Sequence, residues 1–314
     1  MREILRTNDP VRISWLTALL ADRDIEAVVF DTHAAIVEGS IPMIYRRLMV
    51  SDSDFTAATR LLADAGELPS HSVKEADSLL DGRVYLKQPE DGYRVAIDSV
   101  FLAAAVPAAM GLVLDVGAGV GAASLCYLAR VPGARAIGLE VQPELAALAG
   151  RNAAKNGMAD RATFHMGDLL DPPDAVKSGE FDHVMANPPY LPADRADVPP
   201  DSAKAAANVE GAADLAAWLD FCLAMIRPKG SVTMIHRADR LDEVLALLHG
   251  RAGGIVVFPL WPREGQPAKR VLVRARKAVA TPLRLAPGLV LHREGSGYTR
   301  AAEAVLRDAE ALQL

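Results

Sequence analysis

The sequence predicts an α/β domain, built around a mainly parallel sheet, that follows a small α+β domain. From residue 112 onward, short apolar runs alternate with helical patterns, as in sheets whose strands are joined by helices. Before residue 67 the pattern instead gives strand, helix, strand, strand and helix. A chain of 314 residues has room for two domains. We expect them at residues 1–67 and 79–314, joined by a linker at 68–78 that mixes Pro, Ser, His and acidic residues.

The N-terminal domain is predicted to be a small β-α-β-β-α unit. Its expected elements are a strand at 3–6, a helix from Pro10, strands at 25–30 and 47–50, and a helix from 55 that ends at Gly66. Residues 5–11, 27–31 and 46–50 resemble a small prokaryotic domain family of unknown function, described as signal-transducing and ferredoxin-like. The resemblance implies a structural or regulatory module, so we expect no catalytic residue in it.

The charge of the chain is unevenly distributed. The formal net charge is −6, which argues weakly against a nucleic-acid partner. Residues 262–300, however, carry nine basic residues against two acidic ones. Such a segment is typical either of a polyanion-binding surface or of a solvated edge strand that charge protects from pairing. The charge pattern alone leaves both interpretations open.

The cysteines and the apolar runs bear on compartment and metal binding. Cys126 and Cys222 lie in apolar, helical-looking stretches and are expected to be buried free thiols of a reducing cytosol. No Cys/His spacing suggests zinc. The longest apolar run, residues 99–114, is interrupted by Pro107 and Gly111 and is too short to span a bilayer. We therefore expect a cytoplasmic protein with no membrane contact and no metal.

A glycine-rich turn follows the first predicted strand of the large domain, at residues 112–116. Gly117, Gly119 and Gly121 would let the backbone approach a ligand closely, and the helix predicted at 122–129 would offer free N–H groups. Dinucleotide-binding enzymes share a similar turn. Here, Asp115 precedes the first glycine, where it would repel a pyrophosphate and suit a ligand with an ammonium or sulfonium group.

Three later strands also end in polar residues. Glu140 is placed to accept both ribose hydroxyls of a nucleoside, and Asp168, beside Leu169, to meet an adenine amino group. Asn187 ends the fourth strand. The carboxyl ends of parallel strands meet at one sheet edge, so these side chains should share one site. The succession resembles the class I S-adenosylmethionine (SAM)-dependent methyltransferases, which are Rossmann-like. That resemblance implies SAM as cofactor, held by Asp98, Asp115, Gly117, Gly119, Gly121, Glu140, Asp168, Leu169 and Asn187.

The fourth strand ends at a rigid corner formed by Asn187, Pro188, Pro189 and Tyr190. Two prolines fix φ twice and remove two backbone donors, and Asn187 is extended because it precedes a proline. In the methyltransferase superfamily this motif belongs to enzymes that methylate the amino group of adenine or cytosine, or the amide of glutamine. Such a nitrogen is a poor nucleophile. The Asn187 side-chain oxygen and the Pro188 carbonyl would accept its two N–H groups, and Tyr190 would stack on its plane.

The segment from Gln88 onward resembles bacterial tRNA(Val) adenine-N6 methyltransferases. The matching stretches, besides the glycine turn and the proline corner, are residues 88–89, 91–94, 98–104, 237–241 and 297–299. The resemblance implies a tRNA substrate and places Asp98 near the methionine moiety of SAM. We expect tRNA to be contacted by Arg270, Arg274, Arg276 and a polar loop at 191–210.

Other functions stay open. A release-factor glutamine methyltransferase uses the same tetrapeptide, although such enzymes usually carry an N-terminal helical bundle. A DNA adenine methyltransferase would need a target-recognition domain, and the sequence offers no obvious one. A SAM-sensing regulator is the non-enzymatic alternative, which the intact proline corner disfavours. His236, at a strand end, is expected to be structural or peripheral rather than catalytic.

Overall fold

The structure is a computed structural model, and it describes residues 2–7, 10–30, 46–51, 54–65, 77–89, 95, 97–190, 213–295 and 297–314. The chain divides into two compact units, Met1–Glu75 and Ala76–Leu314. Among the described residues, no helix is both long enough and apolar enough to cross a membrane.

In its described residues, the first unit contains a three-stranded antiparallel sheet packed against two helices. Its elements are β1 (Arg2–Thr7), α1 (Pro10–Ala21), β2 (Ala27–Phe30), β3 (Arg46–Val50) and α2 (Phe55–Asp64), with strand order β1-β3-β2. Leu16 and Leu20 of α1 meet Leu48 of β3 and Leu62 of α2, and all four are fully buried. Among the described residues, which leave out 31–45, the element order is the β-α-β-β-α predicted from the sequence.

The second unit opens with a hairpin and a helix. The hairpin pairs β4 (Asp77–Leu79) with β5 (Val84–Leu86), and α3 (Ile97–Ala105) follows. Positive φ angles at Leu80, Asp81 and Gly82 close the turn. β4 begins inside the predicted linker at 68–78. The sequence did not predict this strand, because three residues with one apolar side chain are too short to show a strand pattern.

The remaining elements form the large sheet and its helical layers. The strands are β6 (Leu112–Val116), β7 (Arg135–Glu140), β8 (Ala162–Met166), β9 (Phe181–Ala186), β10 (Ile226–Arg237), β11 (Ala252–Trp261), β12 (Arg270–Lys277), β13 (Arg284–Leu285) and β14 (Leu289–Val290). The helices are α4 (Ala122–Arg130), α5 (Pro143–Lys155), α6 (Leu215–Met225), α7 (Leu241–Leu248) and α8 (Arg300–Asp308). A single 3₁₀ turn, Ala238–Arg240, precedes α7.

The strand order is β13-β11-β12-β10-β9-β6-β7-β8, with β14 also pairing with β11. All neighbouring strands are parallel except β12, which is antiparallel to both β10 and β11. The chain builds outward from β6 through β7 to β8, then returns to the other side of β6 with β9. The crevice at this reversal is where open α/β sheets bind ligands.

Apolar side chains cover both faces of the large sheet. One face packs against α3, α4 and α8, around Phe101, Leu125 and Leu272. The other packs against α6 and α7, around Leu219 and Val184. Because alternate residues of a strand face opposite sides, a strand that is buried on both faces reads as the continuous apolar run seen in the sequence.

Candidate active site

The glycine turn joins β6 to α4 at the carboxyl edge of the sheet. Gly117, Gly119 and Gly121 all have positive φ, at 70°, 54° and 85°. A Cβ at Gly117 would lie 2.6 Å from the Trp218 ring of α6, so packing as well as backbone conformation excludes a side chain there. A Cβ at Gly119 would meet nothing within 4 Å. The Gly119 backbone therefore borders open space in which a ligand could lie against it.

Asp115 is the penultimate residue of β6, directly before this turn, and it is buried. Its Oδ2 accepts hydrogen bonds from the Ser124 amide at 3.1 Å and from the Ser124 hydroxyl at 2.7 Å. Burial raises the pKa of Asp115 to about 7, although the Ser124 bonds lower it; the Glu140 charge raises it further. Both bonds tie the carboxylate to the first turn of α4. Contact between Asp115 and a cationic ligand stays a prediction.

Glu140 ends β7 and closes the other side of the turn. Its Oε2 accepts the Gly119 amide at 2.8 Å, and its Oε1 accepts the Gln142 amide at 2.9 Å. Burial raises the pKa of this carboxyl, and the backbone bonds oppose that shift. The two backbone bonds hold the carboxylate in one orientation. Each oxygen keeps a second lone pair, so two acceptor positions are left for a diol.

Apolar side chains lie exposed around Glu140 and the next strand end. Asp168 follows β8, and its Oδ1 accepts the Leu170 amide at 2.9 Å, while Leu169 packs toward the core. Val141, Met166 and Leu170 are 56%, 59% and 52% exposed. Met166 pairs with Glu140 in the β7–β8 register. None of these three residues was predicted from the sequence. Apolar residues next to a polar strand end could have indicated a surface against which a planar ligand packs.

The proline corner meets α3 across the carboxyl edge. Oη of Tyr190 lies 2.7 Å from the Asn187 side chain and 2.6 Å from Oδ2 of Asp98, in the first turn of α3. Asp98 and Pro188 are buried, and Asn187 and Tyr190 are half-buried. Residues that the sequence assigned to methyl-acceptor and cofactor binding thus come together here.

Two further residues surround Tyr190. The guanidinium carbon of Arg270 lies 4.3 Å from the centre of the Tyr190 ring, and its Nε donates to Oδ2 of Asp98 at 3.1 Å. The His236 ring stands perpendicular to Tyr190, with centres 5.6 Å apart. His236 is fully buried, and burial lowers its pKa to about 4, so the ring is neutral at physiological pH. The structural role expected for His236 therefore includes direct packing against the corner.

The three arginines predicted to contact tRNA are spread along β12. β12 runs antiparallel to β10, so Arg270 lies at the carboxyl edge and Arg276 at the opposite edge, about 20 Å away. Arg274 is half-buried and donates to the Leu314 carbonyl at 2.5 Å. Arg276 donates to the Lys229 carbonyl at 3.1 Å. Of the three, Arg270 adjoins the corner, and contact of all three with tRNA stays a prediction. The loop at 191–210 lies outside the described residues.

Both cysteines of the chain lie in the interior of the second unit. Cys126 and Cys222 are free and buried, and burial raises the pKa of each thiol to about 12. No group of three or more His, Cys, Asp or Glu side chains among the described residues could hold a metal ion.

Comparison with known families supports both parts of the chain. Residues 1–66 match a family described as "Putative prokaryotic signal transducing protein". Residues 113–205 match a family described as "Methyltransferase domain". Both resemblances drawn from the sequence are confirmed by these matches.

Relatives with assigned activities divide between two substrates. A release factor glutamine methyltransferase from Rhodospirillum rubrum is 32% identical over 183 residues, which is 55% of this chain and 53% of the relative. A tRNA1(Val) (adenine(37)-N6)-methyltransferase from Porphyromonas gingivalis is 31% identical over 158 residues, which is 48% of this chain and 61% of the relative. The chain thus spans between half and two thirds of the length of these curated relatives.

The fold also matches a solved structure. A crystal structure described as that of a predicted O-methyltransferase from Agrobacterium tumefaciens superposes with a TM-score of 0.57. It is 24% identical and covers 68% of this chain and 98% of its own. The Rossmann-like architecture predicted from the strand ends is confirmed.

Proposed function

Because the second unit is a SAM-dependent methyltransferase domain, we propose that this chain transfers a methyl group from SAM to the 6-amino group of an adenine in tRNA. The observation that carries the proposal is the joining of Asn187, Tyr190 and Asp98 at the sheet edge that also holds Glu140 and the glycine turn. The residues proposed to bind a planar amine and those proposed to bind a nucleoside thus share one edge of the sheet.

The residues around the glycine turn fit the adenosine part of SAM. Glu140 offers two oriented carboxylate acceptors to the ribose hydroxyls, and the Gly119 backbone borders open space. Asp168 would accept from the adenine amino group, with Val141 and Met166 against the base. Asp98 would face the methionine moiety. SAM supplies an electrophilic methyl group on a sulfonium. The role of the protein is to bind SAM and the acceptor and to orient them toward each other.

The proline corner would hold the acceptor nitrogen. Its lone pair is delocalised into the ring, so it attacks a methyl group poorly unless its N–H groups are bound. The Asn187 carbonyl oxygen and the Pro188 carbonyl would accept those two hydrogens and direct the lone pair toward the methyl carbon. The new N–C bond forms as the S–C bond breaks, and the nitrogen then releases a proton to water. No strong general base is required, because the nitrogen becomes acidic once it is methylated.

Adenine in tRNA is favoured over glutamine by two observations. The resemblance beyond the shared tetrapeptide runs through residues 88–104 and 237–241 to the tRNA enzymes. The described residues of the first unit follow the order β-α-β-β-α, which differs from that of a helical bundle. The Rhodospirillum rubrum relative, of similar identity, keeps release-factor glutamine as the second candidate.

The first unit is proposed to be a regulatory or structural addition, with no residue in the reaction. Two buried thiols and a tRNA substrate are consistent with a cytoplasmic setting.

The test is methyl transfer from labelled SAM to bulk tRNA, to DNA and to a release factor, each in a separate reaction. The proposal predicts label in tRNA only. Label in the release factor alone would assign the chain to the glutamine candidate, and label in DNA alone to the DNA candidate.

A further inference from the structure

The geometry points to Arg270 and Asp98 as positioning residues that, through Tyr190, fix the orientation of the Asn187 amide so that its carbonyl oxygen faces the acceptor nitrogen. This inference rests on the proposed transfer to a planar amine but holds for adenine and glutamine alike. It assigns to Arg270 a role inside the site, in place of the tRNA contact that the charge pattern suggested.

Tyr190 has one hydroxyl hydrogen for two side chains that the structure shows as its acceptors. Arg270 can only donate to the hydroxyl oxygen, which leaves two neighbours that the hydroxyl hydrogen could reach, Oδ2 of Asp98 at 2.6 Å and the Asn187 side chain at 2.7 Å. Both distances are those of real hydrogen bonds. One of the two neighbours must therefore donate to the hydroxyl oxygen.

Asp98 cannot be that donor while it is ionised. Arg270 forms an ion pair with it at 3.1 Å, with Asp98 nine-tenths buried and Arg270 half-buried. A guanidinium is always charged, so it keeps its partner as a carboxylate, which only accepts. The Tyr190 hydrogen therefore goes to Asp98 in a charge-assisted bond.

It follows that Asn187 donates to Tyr190. Only the NH2 group of its amide can do so, and the two branches of an amide occupy nearly equivalent positions. The structure places Oδ1 toward the hydroxyl, and the hydrogen count requires the amide turned by half a rotation. The other branch has no partner among the described residues. Turned in this way, the amide presents its carbonyl oxygen as a free acceptor, which is the group that an N–H of the substrate needs.

Arg270 also fixes Tyr190 itself. Its guanidinium lies over the Tyr190 ring at 4.3 Å, while His236 meets the ring at a right angle. The ring therefore cannot swing away from Asp98 without losing a cation–π contact and an ion pair together. One arginine thus sets both the position of the hydroxyl and the direction of its hydrogen.

Side-chain hydrogen exchange measured by NMR on the full chain tests the orientation without reference to activity. The Asn187 NH2 signals are identified as those lost in Asn187→Ala. We expect one of the two hydrogens to exchange slowly, and to lose at least about tenfold of that protection in Tyr190→Phe and in Arg270→Lys. Tyr85→Phe, a change at an exposed tyrosine, is the matched control and should leave it unaltered. Two unprotected hydrogens in the wild type, or protection that survives Tyr190→Phe, would overturn the inference.

Kinetics distinguish positioning from substrate contact. With the acceptor that the wild type methylates, Tyr190→Phe and Arg270→Lys should each lower kcat on the order of tenfold, with KM for the acceptor little changed. The kcat of the double variant should be no lower than that of the slower single variant, because both changes disrupt the same hydrogen-bond network between Arg270, Asp98, Tyr190 and Asn187. If the two losses of kcat multiplied in the double variant and KM for tRNA rose, Arg270 would contact the acceptor directly. Arg251→Lys, at an exposed ion pair with Asp220, serves as the control.

The two experiments also separate this inference from the proposed function. If the wild type methylated none of the three acceptors, the proposed function would fail, while the exchange measurement would still decide how the amide is oriented.

Discussion

Asn187 is the residue on which the proposed chemistry depends most directly. Changing it to Ala removes the acceptor for the substrate amine but leaves the glycine turn and Glu140 in place. We predict a loss of kcat of at least about a hundredfold, with the Kd for SAM, measured by calorimetry, changed by less than about threefold. A loss of SAM binding of similar size would mean that Asn187 acts only on the cofactor.

Asp115 provides a prediction about pH. Its folded-state pKa, about 7, lies above the ordinary value, so the folded state binds a proton that the unfolded state has already released between about pH 4 and pH 7. Folding stability from this group is therefore present at low pH and is lost as pH rises through that window. The variant Asp115→Asn should lack this loss and gain stability relative to the wild type from about pH 5 to pH 8.

Urea unfolding at the two pH values measures that difference. Asp160→Asn, at an exposed position, is the matched control. A constant stability difference between wild type and Asp115→Asn across the window would show that the Asp115 carboxyl is not held protonated by its burial.

The turn between β6 and α4 makes two demands on Gly117, and they can be separated. Its φ of 70° costs an L-residue about 1 kcal/mol, and a Cβ would also meet the Trp218 ring at 2.6 Å. Gly157 has a φ of 65° with no atom within 4 Å of a Cβ, so Gly157→Ala shows the backbone cost alone. We predict that Gly117→Ala is less stable than Gly157→Ala by a further 1–3 kcal/mol, approximately, in urea unfolding. An equal loss of unfolding free energy in the two variants would mean that α6 shifts to accommodate the added methyl group at no measurable cost.

The two units of the chain each have their own apolar core. The first is built on Leu16, Leu20, Leu48 and Leu62, and the second on the two faces of the large sheet. We therefore predict that residues 76–314, expressed alone, unfold cooperatively and keep the methyl-transfer activity of the full chain within about threefold. Loss of activity in a fragment that folds would assign the first unit a part in substrate binding.

The sequence predicted the parts of the site that depend on local pattern, but not the contacts between residues far apart in the chain. Glu140 and Asn187 could be placed because a polar residue that ends an apolar run must lie at a strand end. Arg270 and Asp98 are 172 positions apart, and their pairing depends on β12 running antiparallel beside β10, which no local pattern states. The same reversal places Arg270 at the carboxyl edge of the sheet and Arg276 at the opposite edge.

The most direct test of the account is the identity of the methylated product. Unmodified tRNA is incubated with SAM and the full chain, digested to nucleosides and analysed by mass spectrometry, with Asn187→Ala as the matched control. The account predicts N6-methyladenosine with the wild type and about a hundredfold less with the variant. If tRNA stayed unmethylated and a release factor, in a separate reaction, gained a methylated glutamine, the proposed function would be contradicted.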